Sequence, residues 1–143
     1  MKIDEELDKD YETIKITEIG LIDPLTGALV FKSDSGQEFH ITAFSSETAH
    51  FISDFLQDAL DTSPTVYKMI EQICEESELL LVKVKIYESG GIFRANLYFT
   101  GRKDIVLRNF RASDAIALAT FYKIPILVRK NLLKENSPQR SKS

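Results

Sequence analysis

Arg111-Ala112-Ser113-Asp114-Ala115-Ile116-Ala117-Leu118-Ala119 is the most informative stretch of the chain. Its apolar run predicts a short helix, which lies between two strand-like segments at 104–110 and 125–128. A strand, a helix and a strand joined by short loops permit a right-handed crossover between parallel strands. The helix is apolar on nearly all sides, which predicts that it is buried or packed against another subunit.

Upstream of this stretch, alternating apolar and polar residues predict five more strands, at 13–20, 28–33, 37–43, 80–87 and 92–100. Two consecutive helices are predicted between the third and fourth of these strands, with caps at Ser45 and at Ser63, the latter followed by Pro64. The pattern indicates an α+β (mixed α/β) fold. We expect a mixed, largely antiparallel sheet with the two consecutive helices on one side and a short buried helix after the Ser-Asp junction.

The two consecutive helices each have an apolar stripe at helical spacing, which predicts the face that packs on the core. In the first helix the stripe comprises Ala49, Ile52, Phe55, Leu56 and Ala59. In the second it comprises Val66, Met69, Ile70, Ile73 and Cys74. Cys74 is therefore expected in the core and not as a nucleophile, because buried thiols usually only pack.

The length of 143 residues suits a single domain with its own hydrophobic core. Residues 1–11 read as a charged N-terminal lead-in, residues 12–133 as the folded domain, and residues 134–143 as a flexible polar tail. The acidic N-terminus has no apolar segment typical of a secretory signal, and no apolar run is long enough to cross a membrane. We therefore expect a cytoplasmic protein with no membrane partner.

The charge balance and the cysteine and histidine content disfavour or exclude several kinds of binding site. A net charge of -4 disfavours generic coating of nucleic acid, although a local basic patch is compatible with it. One cysteine excludes an intramolecular disulfide and a zinc site with two thiolates from one chain. His40 and His50, the only histidines, have no metal-ligand spacing.

The hairpin predicted at 80–100 has one apolar face, which includes Val82, and one basic and aromatic face. The latter contains Lys83, Lys85, Arg94 and Tyr98. Cations that meet phosphate beside rings that stack on bases are typical of a nucleic-acid surface. The alternative is a solvated sheet face or an oligomer contact, on which Lys, Arg and Tyr are also common.

The junction has two interpretations. In the structural one, Ser113 caps the helix, Asp114 complements the positive end of the helix dipole, and Arg111 pairs with Asp114. In the functional one, Arg111 projects into a cleft and binds phosphate in a planar, bidentate manner. The local sequence is compatible with both.

The nine-residue stretch, together with Ile124-Pro125-Ile126-Leu127-Val128, resembles the signature block of the bifunctional nuclease (BFN) domain family. Residues 36–49, which include Glu47, resemble its strand-then-helix block, and residues 93–97 resemble its Phe-Tyr-Ala-x-Leu strand. The resemblance runs in order over residues 12–133. It implies a compact α/β domain that is usually a homo-oligomer, in a family named for a plant member that cleaves RNA and DNA.

Under this resemblance the chain is a metal-dependent nuclease that hydrolyses phosphodiester bonds of RNA or DNA. Asp114 and Glu47 are then the candidates for a catalytic base or for Mg²⁺ or Mn²⁺ ligands, Arg111 is the phosphate clamp, and Ser113 is a positioning group. Lys83, Lys85, Arg94 and Tyr98 are the candidate nucleic-acid contacts.

The sequence also departs from the family pattern. Where the family has a His-Asp pair at the start of the second helix, this chain has Tyr67 and Lys68. Asn109 replaces an aspartate, and Phe44 replaces a glycine. The lost His-Asp pair, the acidic charge balance and the helix that is apolar on nearly all sides motivate an alternative function, a non-catalytic and self-associating binding module.

Overall fold

The computed structural model describes residues 7–58 and 65–135 and shows one seven-stranded sheet curled as a half-barrel. The strands are β1 (Tyr11–Asp23), β2 (Thr26–Ser33), β3 (Glu38–Ser45), β4 (Leu79–Ser89), β5 (Ile92–Gly101), β6 (Ile105–Arg111) and β7 (Ile126–Arg129). The helices are α1 (Ser46–Leu56), α2 (Val66–Glu76), α3 (Ala112–Tyr122) and α4 (Lys130–Glu135). A 3₁₀ turn, Leu7–Asp10, directly precedes β1 and is called the N-terminal turn below.

The strand order is β3-β2-β1-β7-β4-β5-β6, and all neighbours pair antiparallel except β4 and β7. This confirms the predicted α+β fold with a mixed, largely antiparallel sheet. The crossover through α3 does not place β6 beside β7, because β5 and β4 lie between them. The short β7 instead inserts between β1 and β4, where Ile126 is the cross-strand partner of Val84.

α1 and α3 pack against each other over one face of the sheet, α1 over β1 to β3 and α3 over β4 to β6. Ser45 caps α1 as predicted, and its side chain accepts a hydrogen bond from the Thr48 backbone N–H at 3.2 Å. Seven residues of α3, Ala112, Ser113 and Ala115 to Ala119, are buried inside the chain. The predicted burial of this apolar helix is therefore confirmed within one subunit, without a partner chain.

Gly27 in β2 shows how closely α1 approaches the sheet. A Cβ atom at this position would lie 2.6 Å from the Phe44 ring and 2.9 Å from Ala49 Cβ. Only a residue without a side chain lets the ring and the first turn of α1 pack directly on the β2 backbone. Gly27 thus helps to fix the start of α1.

α2 differs from its prediction in two ways. Thr65 is its N-cap and accepts a hydrogen bond from the Lys68 backbone N–H at 3.2 Å, so the predicted cap at Ser63 is wrong. Ser63, Pro64 and Ala59 lie outside the described residues. Of the predicted core stripe only Cys74 is buried and Ile70 partly so, while Tyr67 takes the other core position. Three of its members are more than half exposed: Val66, Met69 and Ile73.

The β4–β5 hairpin has a bulge between Leu81 and Lys83. The bulge holds Val82 out of register, so Leu81 takes the buried position that the sequence assigned to Val82. Beyond the bulge the predicted alternation holds, and Lys83 and Lys85 share the face opposite the buried Val84 and Ile86.

The ends of the folded region differ slightly from the predicted limits of 12 and 133. The N-terminal turn is ordered on the sheet from residue 7, and α4 continues through the first two residues of the predicted tail. None of the helices within residues 7–58 and 65–135 is long and apolar enough to span a membrane.

Candidate functional site

The predicted junction contains no loop, because β6 runs directly into α3. Arg111 is the last residue of β6 and also the N-cap of α3, with extended backbone angles of φ -61° and ψ 135°. The helix begins at Ala112, so Ser113 lies in its first turn and is buried, and the predicted cap at Ser113 is wrong. The physical reason is strand pairing: Arg111 is still held in the sheet opposite Arg94.

This start leaves α3 without a side-chain cap, since no side chain accepts a hydrogen bond at its N-cap. The first N–H groups of a helix have no partner within the helix, and they carry the positive end of its dipole. An uncapped N-terminus therefore favours an anion. α1, whose N-terminus lies across the same cavity, differs because Ser45 caps it.

The cavity between these two helix starts has a volume of about 430 Å³. Its polar side chains come from the end of β3, the start of α1, β5 and the β6–α3 junction. The lining residues are Ala43, Phe44, Ser45, Thr48, Ile92, Phe93, Arg94, Arg111, Ala112, Ser113 and Asp114.

Arg94 and Arg111 line this cavity as direct cross-strand partners. Like charges opposite one another destabilise a sheet unless something compensates them. Within residues 7–58 and 65–135, no carboxylate lies within 4.0 Å of either guanidinium, so the Arg111–Asp114 pair of the structural interpretation does not form. Two unpaired guanidiniums beside an uncapped helix start suit a phosphate group, which accepts planar, bidentate hydrogen bonds.

The two predicted catalytic carboxylates lie on the first turns of different helices. Asp114 is exposed and lines the cavity, whereas Glu47 lines a neighbouring depression of about 270 Å³ with His50, Phe51 and Asp54. The structure therefore places Arg94, Arg111, Ser113 and Asp114 in one cavity and Glu47 beside it.

Tyr67 on α2 links the two carboxylates electrostatically. Burial and the negative charges of Asp114 and Glu47 raise the pKa of its phenol, so its hydroxyl keeps its proton well into the alkaline range. Its ring packs against Phe51, Phe55 and Phe121. No role was assigned to Tyr67 from the sequence. The feature that could have identified it as part of the site is that it replaces the family's histidine.

The carboxylates fit a divalent cation only in part. Mg²⁺ is commonly held by one or two carboxylates together with substrate phosphate oxygens and water. In the described part of the chain no group of three or more His, Cys, Asp or Glu side chains is arranged to hold a metal ion. The described residues therefore form no metal site made of protein ligands alone. Asp114 and Glu47 can hold an ion only together with phosphate oxygens of a bound substrate.

The remaining predicted nucleic-acid contacts lie apart from the cavity. Lys83 and Lys85 both pair with Asp8 of the N-terminal turn, and Tyr98 is buried beneath their ammonium groups. Of the four residues, Arg94 alone lines the cavity. The contacts of Asp8 were not predicted, because residues 1–11 were interpreted only as a charged lead-in.

Comparison with known proteins gave one family match. The bifunctional nuclease domain matches residues 29–141, which include the cavity, both arginines, both lysines and the Tyr67 helix. No curated protein was found that matches the chain. The match extends over most of the chain and includes β3, α1, β5, β6 and α3, which line the cavity, so the chain belongs to the bifunctional nuclease domain family.

Proposed function

We propose that the chain is a nuclease that hydrolyses phosphodiester bonds of RNA or DNA in the cavity between α1 and α3. The observation that carries this proposal is the Arg94–Arg111 pair, which faces the cavity without a carboxylate partner among the described residues. The uncapped start of α3 adds a second source of positive potential at the same place. Family membership supports a nuclease-related domain.

The chemistry of hydrolysis assigns a role to each side chain. Arg94 and Arg111 hold the non-bridging oxygens of the phosphodiester and stabilise the charge that builds up there when water attacks phosphorus. Asp114 accepts a proton from the attacking water, and the departing sugar oxygen takes up a proton from solvent water. Ser113 positions the start of α3 from its buried place in the first turn.

The proposal includes Mg²⁺ or Mn²⁺ as a cofactor. Asp114 and Glu47 would hold the ion together with phosphate oxygens of the substrate, and the ion would polarise the phosphoryl group. A cytoplasmic location is also part of the proposal. Cys74, a buried free thiol, is compatible with the reducing cytoplasm.

The test is cleavage of labelled single-stranded RNA and DNA with Mg²⁺, Mn²⁺ or chelator in parallel. Asp114→Ala should lower the rate by roughly 10²–10⁴, the usual contribution of a positioned general base. Asp34→Ala is the matched control, because Asp34 is an exposed aspartate in the turn at the opposite end of β3. Equal cleavage by wild type and Asp114→Ala would show that this cavity is not the active site.

We also infer self-association through α2 as a second function. Val66, Met69 and Ile73 are 52%, 54% and 59% exposed and lie along one side of the helix. This surface takes the place of α3 as the predicted interface, because α3 is buried inside the chain and cannot contact another subunit.

Light scattering coupled to size-exclusion chromatography measures this association. Wild type should be a dimer or higher homo-oligomer, and Met69→Glu should be monomeric, because it places a charge in the centre of the apolar stripe. Gln72→Glu adds the same charge at an exposed polar position of α2 and should stay associated. A wild type that is monomeric at all concentrations contradicts the inference.

A further inference from the structure

The N-terminal turn lies over two lysines of β4 and pairs with both through one carboxylate. Lys83 Nζ donates a hydrogen bond to Asp8 Oδ2 at 2.8 Å, and Lys85 Nζ forms an ion pair with Asp8 Oδ1. Lys83 and Lys85 point to the same side of β4. One negative charge therefore faces two positive charges, and the cluster keeps an excess of one positive charge.

Lys85 is the more deeply placed of the two lysines. Its side chain is 1% exposed, and its ammonium lies 5.0 Å from the centre of the Tyr11 ring and 4.8 Å from that of Tyr98. An ammonium has three N–H donors. Within the described residues the contact of Lys85 Nζ with a carboxylate is the one to Asp8 Oδ1. Its donors can thus serve an anion with more acceptor oxygens than one carboxylate.

The lysines and the arginine pair share one face of the sheet. Arg94, Asn96 and Tyr98 alternate along β5 on this face, and their partners on β4 are Tyr87, Lys85 and Lys83 respectively. At roughly 3.3 Å per strand residue, Arg94 and Tyr98 are about 13 Å apart. The Tyr87 hydroxyl donates to Asn96 Oδ1 at 3.2 Å, so the intervening surface is also polar. The lysines therefore extend the arginine site along the sheet by a distance that a few nucleotides span.

We propose that Lys83 and Lys85, flanked by Tyr11 and Tyr98, are a second phosphate subsite for single-stranded nucleic acid and that Asp8 is an internal competitor for it. This inference rests on the proposed function. A carboxylate and a phosphodiester each carry one negative charge, so the exchange of one for the other leaves the charge of the cluster unchanged. Tyr98 is buried beneath the ammonium groups, so the partly buried Tyr11 is the ring available for stacking by a base of a single strand.

Asp8 and both lysines differ in their position relative to the segment matched by the family. The segment matched by the family, residues 29–141, contains both lysines but not the N-terminal turn. The basic face thus lies within the family domain, whereas the carboxylate that covers it comes from outside the matched segment. Lys9 and Asp10 of the same turn are exposed, and neither forms an ion pair within the described residues.

The test is the affinity of the full chain for a fluorescent single-stranded oligothymidylate, measured by anisotropy at several salt concentrations. Asp8→Asn should bind the oligonucleotide about tenfold more tightly than wild type. This factor is expected if Asp8 leaves the subsite open in about a tenth of the wild-type molecules. The plot of log affinity against log salt should steepen by about 0.7, because Asp8→Asn leaves the cluster with one more positive charge for the same phosphate. Lys83→Gln added to Asp8→Asn should reverse that change in slope, because it restores the net charge of the cluster.

Asp10→Asn is the matched control, because it removes one exposed carboxylate from the same turn and should bind like wild type. Equal affinity and slope in Asp8→Asn and wild type, with binding still lost in the arginine variants described below, would overturn this inference and leave the proposed function intact. No binding by any variant would overturn both.

A second measurement does not depend on any substitution. Hydrogen exchange of the backbone amides of residues 8–10 is followed in the wild-type protein with and without saturating oligothymidylate. We expect faster exchange in the complex, because displacement of Asp8 releases the turn from the sheet. Unchanged or slower exchange in the complex overturns the inference even if Asp8→Asn fails to fold.

Discussion

Arg94 and Arg111 are cross-strand partners on β5 and β6, and no carboxylate within residues 7–58 and 65–135 lies within ion-pair distance of either. Both line a cavity that also receives the uncapped start of α3. Positive potential is thus concentrated where the described residues form no ion pair with either guanidinium, although Asp114 lines the same cavity. Such an arrangement stabilises a bound anion at the expense of the ligand-free fold.

The first prediction follows from this unfavourable pairing. Arg94→Gln should raise the free energy of unfolding by about 0.2–1 kcal/mol, because it removes a like-charge cross-strand pair. Urea denaturation at low ionic strength measures the effect. Arg102→Gln is the control, since Arg102 is an exposed arginine near the end of β5 that pairs with Glu78, and its loss should not stabilise. A lower free energy of unfolding in Arg94→Gln than in wild type would show that the contacts of Arg94 are attractive overall.

The second prediction concerns the packing that fixes the start of α1. Gly27→Ala should lower the free energy of unfolding by about 1–3 kcal/mol, because the new methyl group meets the Phe44 ring at 2.6 Å. Gly20→Ala on the neighbouring β1 is the control, as a Cβ there has no atom within 4 Å. Thermal or urea denaturation of the two variants distinguishes close packing from a general effect of replacing glycine.

The third prediction concerns acid stability. Burial opposes the charged form of Asp8, but hydrogen bonds and charge from Lys83 and Lys85 outweigh it and lower the pKa below its ordinary 3.8. A lowered folded-state pKa contributes stability that is present above the unfolded-state pKa and is lost as pH falls through the folded-state pKa. Wild type should therefore lose stability below about pH 4 more steeply than Asp8→Asn. Matching pH profiles for the two proteins would argue against the Asp8–lysine contact.

The fourth prediction concerns Tyr67. Its raised pKa means that the folded protein retains a proton that the unfolded chain releases above about pH 10, so its contribution to stability falls as pH rises beyond 10. Tyr67→Phe keeps the ring packed among Phe51, Phe55 and Phe121 and should weaken this alkaline loss. Urea denaturation at pH 7 and above pH 10 tests this, and an equal alkaline loss in both proteins would contradict it.

Much of the fold was predictable because it depends on local signals. Ser45 at the start of an amphipathic run predicted the α1 cap, and the all-apolar α3 predicted a buried helix. α2 shows the limit of such signals. Its periodicity correctly indicated a helix, but the helix has two apolar sides. One side contains Tyr67 and Cys74, and the other contains Val66, Met69 and Ile73. Packing against Phe51, Phe55 and Phe121 selects the first of these sides, and no local rule shows that.

The candidate site was predictable only in part for a related reason. The junction from Arg111 to Asp114 was identified from sequence, yet its cap was misassigned because pairing with Arg94 extends β6 through Arg111. The contact between Asp8 and Lys83 joins residues 75 positions apart, beyond the reach of any local pattern. Both outcomes are set by strand pairing across the sheet.

Binding of the phosphodiester backbone in the Arg94–Arg111 cavity is tested most directly by the oligonucleotide affinity of a variant that lacks both arginines. Arg94→Gln with Arg111→Gln should lose at least about tenfold in affinity for single-stranded oligothymidylate at low salt, and its salt slope should fall by about 1.4. Arg102→Gln, which removes an exposed arginine outside the cavity, should change neither quantity appreciably. An unchanged affinity and slope in the double variant would contradict the account.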